Sequence, residues 1–128
     1  MAYVLIVDDD EDFATAVAAV LRGEGYEVAM EQDPESVLPK LSERRPDAII
    51  LDVMFPENPG AGFELARSIR RSFADMPILM LTAVNQQFPL GFSKRDIDPL
   101  WLPVTEFVEK PVDFDVLCDK MKKLIPTQ

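Results

Sequence analysis

Short apolar runs alternate along the chain with segments of helical periodicity, and this alternation restricts the possible folds more than any other feature. The five runs are Tyr3–Val7, Val28–Met30, Ala48–Leu51, Ile78–Leu81 and the weaker Phe107–Val108. Near-continuous Ile, Val and Leu runs are typical of parallel strands that are buried on both faces. Because strands separated by helices form βαβ units, the pattern predicts a single α/β domain over residues 1–128.

The segments between the runs carry the helical signals. Apolar side chains recur at helical spacing in three of them: Phe13, Val17, Val20 and Leu21; Phe63, Ala66 and Ile69; Phe114, Leu117, Met121 and Leu124. Gly25 is a natural helix end, Asp33 and Pro34 together open a second helix, and Asp113 caps the last one. Pro39 lies inside the second helix, where we expect it to bend the helix or to remove a hydrogen bond.

One segment interrupts the alternation. Residues 85–103 read NQQFPLGFSKRDIDPLWLP, with three prolines, one glycine and no helical stripe. A doubly wound fold places a helix between its fourth and fifth strands, but here the sequence predicts irregular structure with one short turn near Lys94–Ile97. We expect Phe88, Phe92 and Trp101 to cover the sheet instead. A poorly patterned helix is the alternative.

The composition excludes several classes of protein. A net charge of −10 argues against nucleic acid or an anionic membrane as a partner of the chain, so we expect neither. The chain contains no histidine, which excludes Ser-His and Cys-His hydrolase triads. Its single cysteine, Cys118, rules out an internal disulfide. With no basic stretch before the first apolar run, and no apolar run of about 20 residues, the sequence predicts a cytoplasmic protein.

Carboxylates stand where two of the predicted strands end. Asp8 and Asp9 follow the first run and Asp52 follows the third. In a sheet of order 2-1-3-4-5 these two strands are neighbours at the topological switch point, and neighbouring strands lie about 4.8 Å apart. Such a cluster either binds a divalent cation or raises a carboxyl pKa. Mg²⁺ is the cation that fits best.

The other side of the same edge offers complementary groups. Thr82 follows the fourth run and Lys110 follows the fifth. A hydroxyl and an ammonium that face a metal-bound carboxylate form a site for an incoming phosphoryl group. The aspartate would be its nucleophile.

Four motifs at successive strand ends, VLIVDDDED, IILDVMFP, MLTA and EKP, together with GFELARSIR after the third strand, make the chain resemble the receiver domains of two-component response regulators. The resemblance implies a flavodoxin-like (βα)5 fold with a five-stranded parallel sheet of order 2-1-3-4-5. It also implies that the domain is a phosphoacceptor in a phosphorelay rather than an enzyme acting on an external substrate. A sensor histidine kinase or phosphotransfer protein and a downstream protein target are the implied partners.

The resemblance assigns a role to each acid of the cluster. Asp52 is similar in position to the phosphoacceptor. Asp9 matches the direct Mg²⁺ ligand, and Asp8 matches a ligand that acts through water. The backbone carbonyl of Met54 would complete the metal site.

The remaining motifs supply the phosphoryl site and the switch. Thr82, the backbone amide of Ala83 and Lys110 match the groups that hold the phosphoryl oxygens. Lys110 and Pro111 match the family's cis peptide, and Phe107 matches its switch aromatic. The loop after Asp52 and the interval between Thr82 and Lys110 are both longer than is usual in the family, which leaves the output surface open.

Two other interpretations compete with this one. The same fold can serve as a protein-interaction module that works without phosphorylation. A small flavodoxin-like cofactor binder is less compatible, because no Gly-rich or Ser/Thr-rich phosphate loop follows the first strand. Within the acidic run, Asp10, Glu11 and Asp12 are interpreted as first-turn residues that favour the helix dipole, and not as ligands.

Overall fold

The computed structural model describes residues 2–52, 61–73, 75–83, 106–110 and 113–125. Its elements follow one another as β1 (Tyr3–Val7), α1 (Glu11–Gly23), β2 (Glu27–Glu31), a 3₁₀ helix (Pro34–Ser36), α2 (Val37–Glu43), β3 (Ala48–Asp52), α3 (Ala61–Ser72), β4 (Ile78–Ala83), β5 (Glu106–Lys110) and α4 (Phe114–Leu124). The predicted alternation of strands and helices is confirmed. The predicted irregular segment, 85–103, lies outside the described residues.

The strands form one parallel sheet in the order β2-β1-β3-β4-β5, the order that the resemblance implies. The order reverses between β1 and β3, which pair with Val7 opposite Leu51. Since all strands run the same way, the residues that end or follow them lie at one edge. This carboxyl edge is where ligands bind in open α/β sheets.

Apolar side chains cover both faces of the sheet. On one face, alternate residues of β1, β3 and β4 pack against α2 and α3, in a core that includes Leu5, Ile49, Ile78, Leu41 and Ile69. On the other face, the intervening strand residues pack against α1 and α4, in a core that includes Ile6, Ile50, Leu79, Val17 and Met121. Each buried Leu or Ile contributes about 1.5–3 kcal/mol relative to exposure, so burial on both faces fixes the strand ends in place.

Local signals define where the helices start. The Asp10 side chain accepts the Phe13 N–H at 3.1 Å and caps α1. Asp113 caps α4 in the same way, through the N–H groups of Asp115 and Val116. Gly25 adopts a φ of 98° after the end of α1, a conformation that favours glycine.

The predicted second helix is divided in two. Asp33 accepts the Glu35 N–H at 2.9 Å, but the turn it caps is 3₁₀, and α2 begins only at Val37. Pro39 is therefore the third residue of α2, a position at which an N–H has no intrahelical partner. Because α2 begins at Val37, the helix requires no hydrogen bond from Pro39, which has no N–H to donate.

Opposite charges are paired near the start of the strands, at the amino edge of the sheet. The Arg44 guanidinium binds the Glu27 carboxylate through both of its terminal nitrogens and lies 4.0 Å from the centroid of the Tyr3 ring. The hydrogen bond from Arg44 lowers the pKa of Glu27. Nearby, Asp47 accepts the Tyr3 N–H at 2.8 Å.

Among the described residues, no helix combines the length and apolar character needed to cross a bilayer.

Candidate metal centre

Three carboxylates converge at the carboxyl edge of the sheet. Asp8 and Asp9 follow β1, and Asp52 is the last residue of β3. One oxygen of each of the three carboxylates lies within 4.8 Å of the others. Asp8 and Asp52 are 1% and 2% exposed, whereas Asp9 is exposed. The structure therefore brings together the three acids that the sequence places in one site, with one side of the cluster open to solvent.

Backbone hydrogen bonds hold Asp8 in this cluster. Its N–H donates to the Glu31 carbonyl at 3.0 Å, which extends the β1–β2 pairing by one residue beyond Val7. Its Oδ1 accepts the Asp10 N–H at 2.9 Å. Asp8 is thus anchored both to the neighbouring strand and to the start of α1.

The next three acidic residues lie at the start of α1. Asp10 is the N-cap of α1, and Glu11 and Asp12 lie in the first turn, where negative charge is favourable. Their predicted place at the start of the helix is confirmed, and the interpretation that they are not metal ligands stays a prediction. The acidic run is therefore divided between two tasks, with Asp8 and Asp9 in the cluster and the next three acids at the helix.

The chemistry of the cluster suits a hard cation. Two unit charges about 4 Å apart repel by about 1 kcal/mol in water, and by about 4 kcal/mol at the effective dielectric near a protein surface. A divalent cation removes this repulsion, and carboxylate oxygens are the ligands that Mg²⁺ and Ca²⁺ prefer. The exposed Asp9 side leaves space for the waters that Mg²⁺ usually retains. The residues present therefore fit a divalent metal site.

The backbones of the other predicted site residues reach the same edge. Asp52 pairs with Leu81, so Thr82 lies one position further along β4, and Ala83 pairs with Lys110. Both strands are longer than the sequence predicts, because β4 continues to Ala83 and Lys110 is the last residue of β5.

The structure describes only one of two further predicted residues, the switch aromatic Phe107 and the metal ligand Met54. Phe107 belongs to β5 and pairs with Met80, which places its backbone within the sheet. Met54 and Pro111, and with them the predicted carbonyl ligand and cis peptide, lie outside the described residues.

Sequence reasoning missed Glu31. The predicted strand stopped at Met30, but β2 runs from Glu27 to Glu31, and the Glu31 carbonyl holds Asp8 in place. Val28 and Met30 alternate with Glu27, Ala29 and Glu31 along the strand, and this period of two could have extended the prediction. The prediction missed the full length of the strand because its two end residues, Glu27 and Glu31, are polar.

A family model for the response regulator receiver domain matches residues 4–122. The chain belongs to this family. The family is one of receiver domains in two-component signalling and not a classical enzyme family, and the parallel sheet with its acidic carboxyl edge is the structure expected of a member.

Individual relatives agree with the family model. The chain is 33% identical over 122 residues to the response regulator MprA of Mycobacterium sp. (strain KMS), an alignment that covers 95% of this chain and 50% of MprA. It is 34% identical to the transcriptional regulatory protein AfsQ1 of Streptomyces coelicolor, over 98% of this chain and 52% of AfsQ1. The crystallised chemotaxis protein CheY4 of Vibrio cholerae superposes with a TM-score of 0.80 at 30% identity, over 97% of this chain and 98% of CheY4. The chain thus spans about half the length of the curated relatives MprA and AfsQ1.

The expectation that nucleic acid is not a partner is wrong. AfsQ1 is a transcriptional regulatory protein, so receiver domains similar to this one occur in proteins that regulate transcription. The expectation rested on the net charge of −10, and the charge of one domain bears only on the surface of that domain. About half of AfsQ1 lies outside the region that aligns with this chain, and the net charge of this chain says nothing about that part.

Proposed function

We propose that this receiver domain accepts a phosphoryl group on Asp52, with Mg²⁺ bound in the acidic cluster, and thereby changes the surface that it presents to a partner. The observation that carries the proposal is the convergence of Asp8, Asp9 and Asp52 at the switch point of the sheet. Asp52 is the favoured acceptor because it ends a buried central strand next to β4, on the side of the sheet where the phosphoryl-binding groups are expected.

The reaction follows from the groups at this edge. A carboxylate oxygen of Asp52 attacks the phosphorus of a phosphohistidine on the kinase or phosphotransfer protein. The new O–P bond forms as the P–N bond breaks, and the imidazole nitrogen leaves with the bonding electron pair. The Lys110 ammonium, the Thr82 hydroxyl and the Ala83 N–H are proposed to bind the phosphoryl oxygens and to stabilise their charge.

The metal site would be shared with the acceptor. Asp9 and Asp52 would bind Mg²⁺ directly, Asp8 would bind it through water, and the Met54 carbonyl would complete the site. When bound, Mg²⁺ supplies positive charge that offsets the carboxylates and the phosphoryl oxygens. Asp8, which is held by Glu31 and Asp10, would keep the ligand geometry fixed.

The signal is a change of surface. Phosphorylation would draw Thr82 towards the phosphate and let Phe107 move inward, which alters the face formed by β4, β5 and their neighbours. Because the domain assists its own phosphotransfer, no external substrate is turned over. The target that reads the altered face is proposed to be a downstream protein.

Intact-protein mass spectrometry tests the proposal. The wild-type protein, incubated with acetyl phosphate and Mg²⁺, should gain the mass of one phosphoryl group, and Asp52→Asn should gain none. Asp47→Asn is the matched control, because Asp47 lies just before β3 and at its opposite end, and it should be labelled like the wild type. Absence of any adduct on the wild type would instead favour an interaction module that works without phosphorylation.

A further inference from the structure

Glu31 connects the acidic cluster with α2. Its carbonyl accepts the Asp8 N–H, while its carboxylate binds groups on its C-terminal side. Oε2 accepts the N–H groups of Gln32 and Asp33 at 2.9 and 3.0 Å, and Oε1 lies 3.3 Å from Lys40 Nζ in α2. One residue therefore holds both the backbone of a proposed metal ligand and the turn that follows β2.

Glu31 makes these contacts as a carboxylate. Its side chain is 17% exposed, and burial raises its pKa. The Asp33 N–H and the Lys40 ammonium outweigh this effect and lower the pKa overall. Glu31 is therefore ionised at neutral pH, and Lys40 is the cation that faces it.

We propose that Glu31 and Lys40 are positioning residues for the acidic cluster. By fixing the end of β2, they hold the Glu31 carbonyl where it keeps Asp8 in the orientation that binds a cation. The inference rests on the proposed function, because it assumes that Asp8 serves a metal. Before a cation binds, the like charges of the cluster push Asp8 away from Asp52, and the hydrogen bond to Glu31 resists this displacement.

The positioning role and simple electrostatics predict opposite effects of removing the Lys40 charge. Lys40→Met leaves one more uncompensated negative charge near the cluster, which by itself would strengthen Mg²⁺ binding. If Lys40 instead positions Asp8 through Glu31, the same substitution weakens Mg²⁺ binding. The direction of the change therefore separates the two effects.

The chain contains a matched control for this substitution. Arg44 forms the corresponding ion pair with Glu27 at the start of β2. Arg44→Met also removes one positive charge and one pair between β2 and the α2 region, but at the edge of the sheet away from the cluster. Lys40→Arg retains the ion pair and should behave like the wild type.

The test combines two measurements on these variants. Calorimetric titration with Mg²⁺ should show a dissociation constant about two- to fivefold higher in Lys40→Met, the change that corresponds to the usual contribution of a partly exposed ion pair. Amide hydrogen exchange without Mg²⁺, followed by NMR, should be faster at Asp8 in Lys40→Met. Arg44→Met and Lys40→Arg should change neither quantity. If Lys40→Met does not fold, Lys40→Gln, which removes the same positive charge, replaces it with the same expected results.

The outcomes are distinguishable. Unchanged or tighter Mg²⁺ binding in Lys40→Met would refute the positioning role and leave the metal site intact. Weaker binding with unchanged exchange at Asp8 would also refute it, because the effect would not pass through Asp8. If the wild-type protein binds no Mg²⁺, the proposed function fails, and the exchange rate at Asp8 then decides the positioning role alone.

Discussion

Charged side chains are arranged in opposite ways at the two edges of the sheet. At the amino edge, Glu27 is paired with Arg44, and Asp47 accepts a backbone N–H from Tyr3. At the carboxyl edge, Asp8, Asp9 and Asp52 bring three negative groups within 4.8 Å of one another. The same strands carry both edges, so the difference is not a consequence of the fold.

The comparison separates stability from function. Pairing opposite charges or satisfying a backbone N–H stabilises the folded chain, whereas gathering like charges opposes folding unless a cation is bound. A sheet that balances charge at one edge and concentrates it at the other is what the proposed metal site at the second edge requires. Glu31 combines the features of both edges. Its carboxylate is paired with a cation, as at the amino edge, while its carbonyl accepts the Asp8 N–H and so supports the cluster.

The same substitution at the two edges should change stability in opposite directions. Asp9→Asn relieves repulsion, so without Mg²⁺ we expect the free energy of unfolding to rise by about 1 kcal/mol. Asp47→Asn replaces an ionised acceptor by a neutral amide, so we expect a decrease of about 1 kcal/mol. In the wild type and Asp47→Asn, Mg²⁺ at 100 times its dissociation constant should add about 2.7 kcal/mol, and this gain should shrink in Asp9→Asn.

Urea unfolding with and without Mg²⁺ measures all of these quantities. The Asp47→Asn variant controls for the loss of any single carboxylate. A stability that does not respond to Mg²⁺ in the wild type, or a loss of stability in metal-free Asp9→Asn, would remove the distinction between the edges.

A smaller effect should appear in the pH dependence. The pKa values of Glu27 and Glu31 are lowered from the usual 4.5, so each stabilises the fold above pH 4.5 and this contribution is lost as the pH falls below that value. Glu27→Gln and Glu31→Gln should each reduce the loss of stability between pH 7 and pH values below 4.5. Only Glu31→Gln should also weaken Mg²⁺ binding. Parallel acid profiles for both variants and the wild type would show that neither pair contributes.

The sequence predicts the central part of each strand, because buried parallel strands need continuous apolar runs. The resemblance to receiver domains implies the order of the sheet, and this order brings Asp8 next to Asp52 although 44 positions separate them in the chain. The strand ends were predicted less well. Glu31 and Lys110 are polar, and only their backbone pairing with Val7 and Ala83 shows that they extend the sheet.

Contacts between distant side chains could not be predicted. The pairs formed by Glu27 with Arg44 and Glu31 with Lys40 join β2 to α2 and the residue after it, and charged residues are common enough that sequence alone does not choose between partners. The nucleic-acid expectation failed for a different reason, because a net charge describes a surface and not the protein in which a domain operates.

The most direct measurement locates the phosphoryl group. After incubation with acetyl phosphate and Mg²⁺, borohydride reduces an aspartyl phosphate to homoserine, and tandem mass spectrometry of the peptides identifies the reduced position. We expect homoserine at position 52 alone, and none when Mg²⁺ is removed by a chelator. Reduction at Asp8, Asp9 or Asp47 in place of Asp52, or equal labelling without Mg²⁺, would contradict the assignment of the carboxyl edge as a magnesium-dependent phosphoacceptor site.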